Sequence, residues 1–169
     1  MRMVTSPGQN PDQVVEACVR QTKRAYGMPE TRTLMIEALR PYRRDIGHSD
    51  MNGDTLADSI YQLAKSITFY REPAGPNYPG EVVQSPSLTL LLNGGDCDDI
   101  AVLVATAARV FGCDAAIGWY PTSKDGTQAH IVAAIRPGWY NARDEWVVID
   151  PQQEKPASPH TGTRWQRVD

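Results

Sequence analysis

Several features are scarce in the sequence or missing from it, and each absence excludes a class of protein. The 169 residues contain only three cysteines, an odd number, which is too few for a fold held by disulfides. No apolar run approaches the ~20 residues that span a bilayer, and the N-terminal residues lack the apolar segment of a signal peptide. A net charge of −3 and a pI of about 5.6 give no basic surface for nucleic acid. We therefore expect a protein that is cytoplasmic when made and has neither a nucleic-acid nor a membrane partner.

Length and composition indicate a single domain, and the first half of the chain has the apolar spacing of helices. Hydrophobic residues make up 41% of the sequence and charged residues 22%, as in an ordinary globular protein. Apolar residues recur at intervals of three and four over 11–28, 29–47 and 54–70, with Pro41 ending or kinking the second segment. Residues 71–86, rich in proline and glycine, predict an irregular surface loop.

The second half changes from a helical to a β-strand pattern. After an apolar run that stops at a Gly-Gly pair, residues 97–111 again have helical spacing. Three short β-prone stretches follow at 113–121, 129–137 and 145–151, bounded by proline, glycine and charged residues. The predicted class is therefore α+β, with N-terminal helices and then a central helix packed on an antiparallel sheet. The polar tail 152–169 is expected to lie over the surface.

Cys97 differs from Cys18 and Cys113, which stand at apolar positions and are expected in the core. It follows a Gly-Gly turn in the string G-G-D-C-D-D and lies at a predicted helix start. The positive end of the helix dipole favours a thiolate there, whereas the neighbouring aspartates disfavour a second anion. Asp96 can cap the helix and Asp99 can complete a capping box. Because the dipole alone is insufficient, an imidazolium partner is needed.

The sequence offers three histidines as partner for this thiol. His48 stands in a turn and His160 in the polar tail, whereas His130 opens an apolar strand. Asp150 ends the next strand, where a carboxylate can accept a hydrogen bond from the imidazole and fix its tautomer. The pattern predicts a catalytic Cys97, His130 and Asp150.

Three blocks of the sequence resemble the transglutaminase-like superfamily of papain-fold thiol enzymes. They are "VVQSPSLTLLLNGGDCDDIAVLVATAARVFG", "AHIVAAI" and "EWVVIDP", in the order the family has them. The resemblance is nearest to the small prokaryotic and tailed-bacteriophage members. It implies a papain-like or transglutaminase-like core at 54–151, with a helical extension at 1–53 and a tail at 152–169, in one domain.

The resemblance also implies a chemistry. Cys97 would be the nucleophile, His130 the general base and acid, and Asp150 the residue that orients the imidazole, in a cysteine peptidase or amidase acting on a protein or peptide. If an amine replaced water, the same site would transfer the acyl group. The animal cross-linking enzymes have tryptophan where this chain has Asp98, so neither cross-linking nor calcium control is expected. Gln84 is a candidate oxyanion donor, or else a loop-capping glutamine.

Two further readings come from other classes of protein. The first is a structural or assembly component of a phage particle, located in the virion, that keeps the fold for docking to other phage proteins. The second is a zinc site of Cys97, Cys113, His130 and an aspartate. The sequence has no C-x-x-C or H-x-x-H pair, so we expect no metal and no cofactor.

Overall fold

The computed structural model describes residues 10–44, 46, 53–70, 82–125, 128–137 and 145–169, and it has mixed helix and sheet. Its helices are α1 (Pro11–Tyr26), α2 (Pro29–Leu39), α3 (Gly53–Ser66), α4 (Pro86–Leu92) and α5 (Cys97–Val110). Its strands are β1 (Thr68–Phe69), β2 (Gly94–Gly95), β3 (Asp114–Pro121), β4 (Ala129–Arg136), β5 (Val147–Ile149) and β6 (Arg164–Arg167). The predicted α+β class is confirmed. His48 and residues 71–81 of the predicted loop lie outside the described residues.

Helix α3 is shorter than its apolar spacing predicted, because the chain after it pairs with the residues just before Cys97. It ends at Ser66, because the next residues form β1, which pairs in parallel with β2 at Gly94–Gly95. The backbone N–H of Tyr70 then donates to the carbonyl of Gly95 at 3.1 Å. The prediction of a helix over 54–70 is therefore wrong in its last turn, where pairing with the Gly-Gly segment replaces helical hydrogen bonds.

A short helix, α4, directly precedes the Gly-Gly pair, where the sequence indicated only an apolar run. The Ser85 hydroxyl caps it by accepting from the backbone N–H of Leu88 at 3.3 Å, and Pro86 takes the first helical position. Asn93 ends the helix in the left-handed conformation, with φ of 47°, which asparagine tolerates better than most residues. This turn directs the chain into β2 and so fixes where α5 begins.

The main sheet has four antiparallel strands in the order β5-β4-β3-β6. Strands β3 and β4 pair along their whole length, and β5 pairs with β4 so that Ala133 lies opposite Ile149. Strand β6 pairs with the other edge of β3. The tail 152–169 was expected only to cover the surface, and the strand within it was missed because three of its four residues are polar and exposed.

Helix α5 is the centre of the structure, and every residue over 97–108 is buried. It packs against α1 and α3 and against the sheet strands β3 and β4. The core that surrounds it includes Ile131 and Ile135 of β4 and Ile149 of β5, which confirms that the predicted helices and strands share one core. None of the described helices is long and apolar enough to cross a membrane.

Candidate active site

Cys97 is the first residue of α5, as the sequence predicted. Asp96 precedes it in an extended conformation, and Asp99 Oδ2 accepts from the backbone N–H of Asp96 at 3.2 Å, as in a capping box. Backbone N–H groups in a first helical turn have no carbonyl partner within the helix and carry the positive end of its dipole. The Cys97 thiol thus stands where the backbone favours negative charge.

His130 and Asp150 form a buried pair at one end of the sheet. His130 lies near the start of β4 and Asp150 follows β5, and antiparallel pairing brings these two ends together. The distance between His130 Nε2 and Asp150 Oδ2 is 3.0 Å, and each residue is 2% exposed. Burial opposes ionisation of Asp150, but the hydrogen bond and charge of His130, the Gln152 N–H and the charge of His160 outweigh it and lower the Asp150 pKa.

A small cavity of about 10 Å³ brings the three predicted residues together. Cys97, His130 and Asp150 all line it. The second ring nitrogen of His130, Nδ1, is buried and has no hydrogen-bond partner among the described residues. Since Nε2 is engaged by Asp150, Nδ1 is the nitrogen available to exchange a proton with a thiol in this cavity.

Tyr120 makes two aromatic contacts near this pair that the sequence did not predict. The Tyr120 ring meets His130 edge-on, with centroids 5.3 Å apart and planes at 83°, and lies 5.4 Å from the His160 ring. Tyr120 is opposite His130 in the β3–β4 register. Only that register, which the sequence does not reveal, could have identified the contact. His160, which the sequence left in the tail, therefore lies near the pair.

Gln84 is buried against Asp99 rather than standing free beside Cys97. Its side-chain Nε2 donates to Asp99 Oδ2 and to Tyr70 Oη, each at 2.7 Å. Its backbone N–H donates to Asp99 Oδ1, also at 2.7 Å. Both N–H groups of the amide are thus engaged in this structure, and the oxyanion role of Gln84 stays a prediction.

Three buried carboxylates surround the first turn of α5. Oxygens of Asp96, Asp98 and Asp99, one from each, lie within 4.8 Å of one another. Such a cluster raises the pKa of a neighbouring thiol, because it disfavours a further anion. It also has the oxygen ligands that hard cations prefer.

The other two cysteines are core residues, as predicted. Cys18 and Cys113 are both 0% exposed, and none of the three cysteines, all of which are among the described residues, forms a disulfide. Burial, followed by the carboxylates at the start of α5, raises the pKa of Cys18 well above its ordinary value. Burial and the charge of Asp114 raise the pKa of Cys113 to about 12, against a smaller opposing effect of Arg109. Neither thiol is therefore poised for reaction at neutral pH.

Comparisons with known proteins give a match in structure but not in sequence. No protein-family model and no curated protein matches the chain. Calcium-bound LapG of Legionella pneumophila superposes with a TM-score of 0.54 at 17% identity, covering 89% of this chain and 81% of LapG. EGTA-treated LapG gives 0.51 at 16% identity over 90% and 76%, and a third LapG structure gives 0.50 at 16% over 89% and 77%. The fold is therefore transglutaminase-like.

Proposed function

We propose that this chain is a cysteine peptidase or amidase with Cys97 as nucleophile, His130 as general base and acid, and Asp150 as the orienting residue. The observation that carries the proposal is the single cavity lined by all three, with Cys97 at a helix start and His130 bound to a buried carboxylate. LapG, whose fold this chain has, is a cysteine protease, which supports a protein or peptide substrate.

The chemistry follows from the two ring nitrogens of His130. Nδ1 takes the thiol proton, and the Cys97 thiolate attacks the substrate carbonyl carbon to form a C–S bond. Backbone N–H groups of the first turn of α5 stabilise the oxyanion. The imidazolium then donates its proton to the amine as the C–N bond breaks, leaving a thioester. Water, deprotonated by His130, releases the acid and restores the thiol.

Asp150 supports this cycle through Nε2. Its carboxylate accepts the Nε2 proton, so the neutral ring has its lone pair on Nδ1, the nitrogen without a partner among the described residues. The negative charge also stabilises the imidazolium that forms when Nδ1 takes the thiol proton. Tyr120 packs edge-on against the ring and restricts its rotation.

A cation site is a second element of the proposal, although the sequence predicted no metal. One LapG structure is calcium-bound. In this chain Asp96, Asp98 and Asp99 fit calcium by ligand type, and Asp96 Oδ1 has no hydrogen-bond partner in the described part of the chain. A bound ion would offset the repulsion that these carboxylates exert on a thiolate. Calcium should then accelerate alkylation of Cys97 relative to EGTA, and equal rates would contradict the site.

Acyl-enzyme formation tests the proposal without knowledge of the substrate. With p-nitrophenyl acetate, we expect release of nitrophenol and one acetyl group on Cys97, detected by peptide mass spectrometry. Cys97→Ala should abolish both signals, His130→Gln should slow them strongly, and Cys18→Ser is the matched control. A primary amine added in the assay separates transfer from hydrolysis, because it appears in the product only if the site accepts it.

The remaining alternative is an assembly component of a phage particle with an idle triad. It predicts no acetylation of Cys97 and a rate of Cys97 alkylation that His130→Gln does not change. Membership among phage proteins rests on the sequence resemblance alone, so the acylation assay decides between the two functions.

A further inference from the structure

A buried polar network centred on Asp99 lies beside Cys97, and its hydrogen bonds have no part in the acyl transfer proposed above. The Asp99 carboxylate accepts three N–H groups: the Gln84 backbone N–H at 2.7 Å, Gln84 Nε2 at 2.7 Å and the Asp96 backbone N–H at 3.2 Å. Asp99 is 0% exposed and Gln84 is 6% exposed. An ionised carboxylate only accepts hydrogen bonds, so three donors match the charged form of Asp99.

The network joins segments that are far apart in the sequence. The second amide N–H of Gln84 donates to Tyr70 Oη at 2.7 Å, and the Tyr70 backbone N–H donates to the Gly95 carbonyl at 3.1 Å. The chain after β1, the segment before α4 and the first turn of α5 are therefore linked through one carboxylate. A displacement of any of these segments would change the position of the residue at the start of α5.

The Gly-Gly pair before Asp96 provides the space that this network needs. A Cβ atom on Gly95 would lie 2.7 Å from Asp99 Cβ and 2.8 Å from Asp99 Oδ2. A Cβ atom on Gly94 would lie 2.6 Å from Cε1 of the Tyr70 ring. All three distances are shorter than van der Waals contact, so the two glycines leave room for Asp99 and Tyr70.

We infer that Asp99 and Gln84 are positioning residues, which hold the first turn of α5 so that Cys97 stays directed toward His130. The inference rests on the proposed function, because it concerns how the nucleophile of that function is held. On charge alone Asp99 opposes the thiolate. Its three charge-assisted hydrogen bonds act in the other direction by fixing the backbone on which the thiol lies.

The charge of Asp99 disfavours the Cys97 thiolate, whereas its hydrogen bonds favour it by holding the backbone. A variant that removes both effects therefore shows which of them is larger. Asp99→Asn removes the charge and replaces one acceptor oxygen with a donor, and Asp58→Asn makes the same change at an exposed position of α3 as the matched control. On charge alone, Asp99→Asn would alkylate with iodoacetamide at the wild-type rate or faster, because it removes repulsion. In EGTA at about pH 5.5, we instead expect it to alkylate at least about fivefold more slowly than wild type and Asp58→Asn, because the thiol loses its position beside the imidazolium.

The pH profile separates this effect from a change in access to the thiol. At about pH 10 free thiols are ionised with or without a partner, so Asp99→Asn should there approach the wild-type rate. An Asp99→Asn variant that is as fast as wild type at acidic pH would overturn the inference.

Gln84→Ala provides a second test that holds even if Asp99→Asn does not fold. Alkylation forms no oxyanion, so a residue that only stabilises an oxyanion cannot affect its rate. We expect Gln84→Ala to slow both iodoacetamide alkylation at about pH 5.5 and acylation by p-nitrophenyl acetate, with the exposed Gln166→Ala as matched control. Slower acylation with unchanged alkylation would overturn the inference in favour of the oxyanion role.

The proposed function and this inference fail in distinguishable ways. If His130→Gln alkylates like wild type, the proposed pairing of Cys97 with His130 is wrong. If His130→Gln is slow but Asp99→Asn and Gln84→Ala are not, the pairing holds and only the positioning role is wrong.

Discussion

The alkylation rate of Cys97 at acidic pH reports directly on whether His130 is its partner. We expect His130→Gln to remove that partner with little disturbance, because glutamine has a similar size and its amide can still donate to Asp150. Glutamine cannot carry a positive charge, so it cannot stabilise a neighbouring thiolate. The 3.0 Å bond between His130 Nε2 and Asp150 shows that the replaced group lies in a fixed, buried position.

The size of the effect follows from the fraction of thiolate. At about pH 5.5, a thiol with the ordinary pKa of about 8.5 is about 0.1% ionised, whereas one lowered to about 6 is about 24% ionised. Intrinsic nucleophilicity falls with pKa, with a Brønsted coefficient of about 0.4–0.5, which offsets about 10- to 20-fold of that roughly 240-fold difference. We therefore expect His130→Gln to slow alkylation by about tenfold or more.

Pseudo-first-order alkylation with iodoacetamide, followed by peptide mass spectrometry, measures the rate at each cysteine. His160→Ala is the matched control, because His160 is exposed and contacts the pair only through the Tyr120 ring and through charge. It should retain most of the wild-type rate at about pH 5.5, and circular dichroism should show that both variants are folded. Equal rates for wild type and His130→Gln across the acidic range would refute the pairing.

Three further predictions use the same protein. Asp150→Asn should slow Cys97 alkylation less than His130→Gln does, because the imidazole remains; a larger loss would contradict the orienting role. The pKa of Asp150 is lower in the folded protein than the unfolded value of about 3.9, so the ionised carboxylate stabilises the fold at pH above that value. This stabilisation is lost as the pH falls through the lowered pKa of the folded state. The melting temperature of Asp150→Asn should therefore depend less on pH below about 4, and an unchanged acid profile would contradict this. Gly95→Ala should cost about 1–3 kcal/mol in chemical denaturation through its clash with Asp99, and a neutral effect would contradict the tight packing.

The parts of the fold that were predicted are those with long apolar periodicity. Helix α5 and strand β4 bury most of their residues and β3 buries four of its eight, so the apolar pattern of each element is visible in its sequence. The two-residue strands β1 and β2 are too short for any period, and β6 is a polar edge strand. Such elements form because a partner strand is present, which only the tertiary structure supplies.

The candidate site likewise has residues that the sequence could predict and contacts that it could not. Cys97, His130 and Asp150 could be predicted as site residues because each has a local signal: a helix start, a strand start or a strand end. The hydrogen bond between Gln84 and Asp99 joins residues 15 apart, with α4 and β2 between them, and no local pattern specifies that separation. The sequence could name Asp99 as a member of a capping box, but not as an acceptor for a distant segment.

The aspartates beside Cys97 oppose a thiolate on charge alone. The hydrogen bonds that their carboxylates accept, and the helix dipole, reduce this opposition. Asp99 accepts from three N–H groups, so donor dipoles point at its charge and reduce the field that reaches the thiol. Asp96 is the N-cap, where the positive end of the helix dipole offsets part of its charge as it does for Cys97. Without a bound cation, the repulsion that remains must be offset by a positive group near the thiol, and among the described residues that line the cavity only His130 can supply one. In that state a reactive Cys97 requires a protonated His130, and the carboxylates make that dependence stronger.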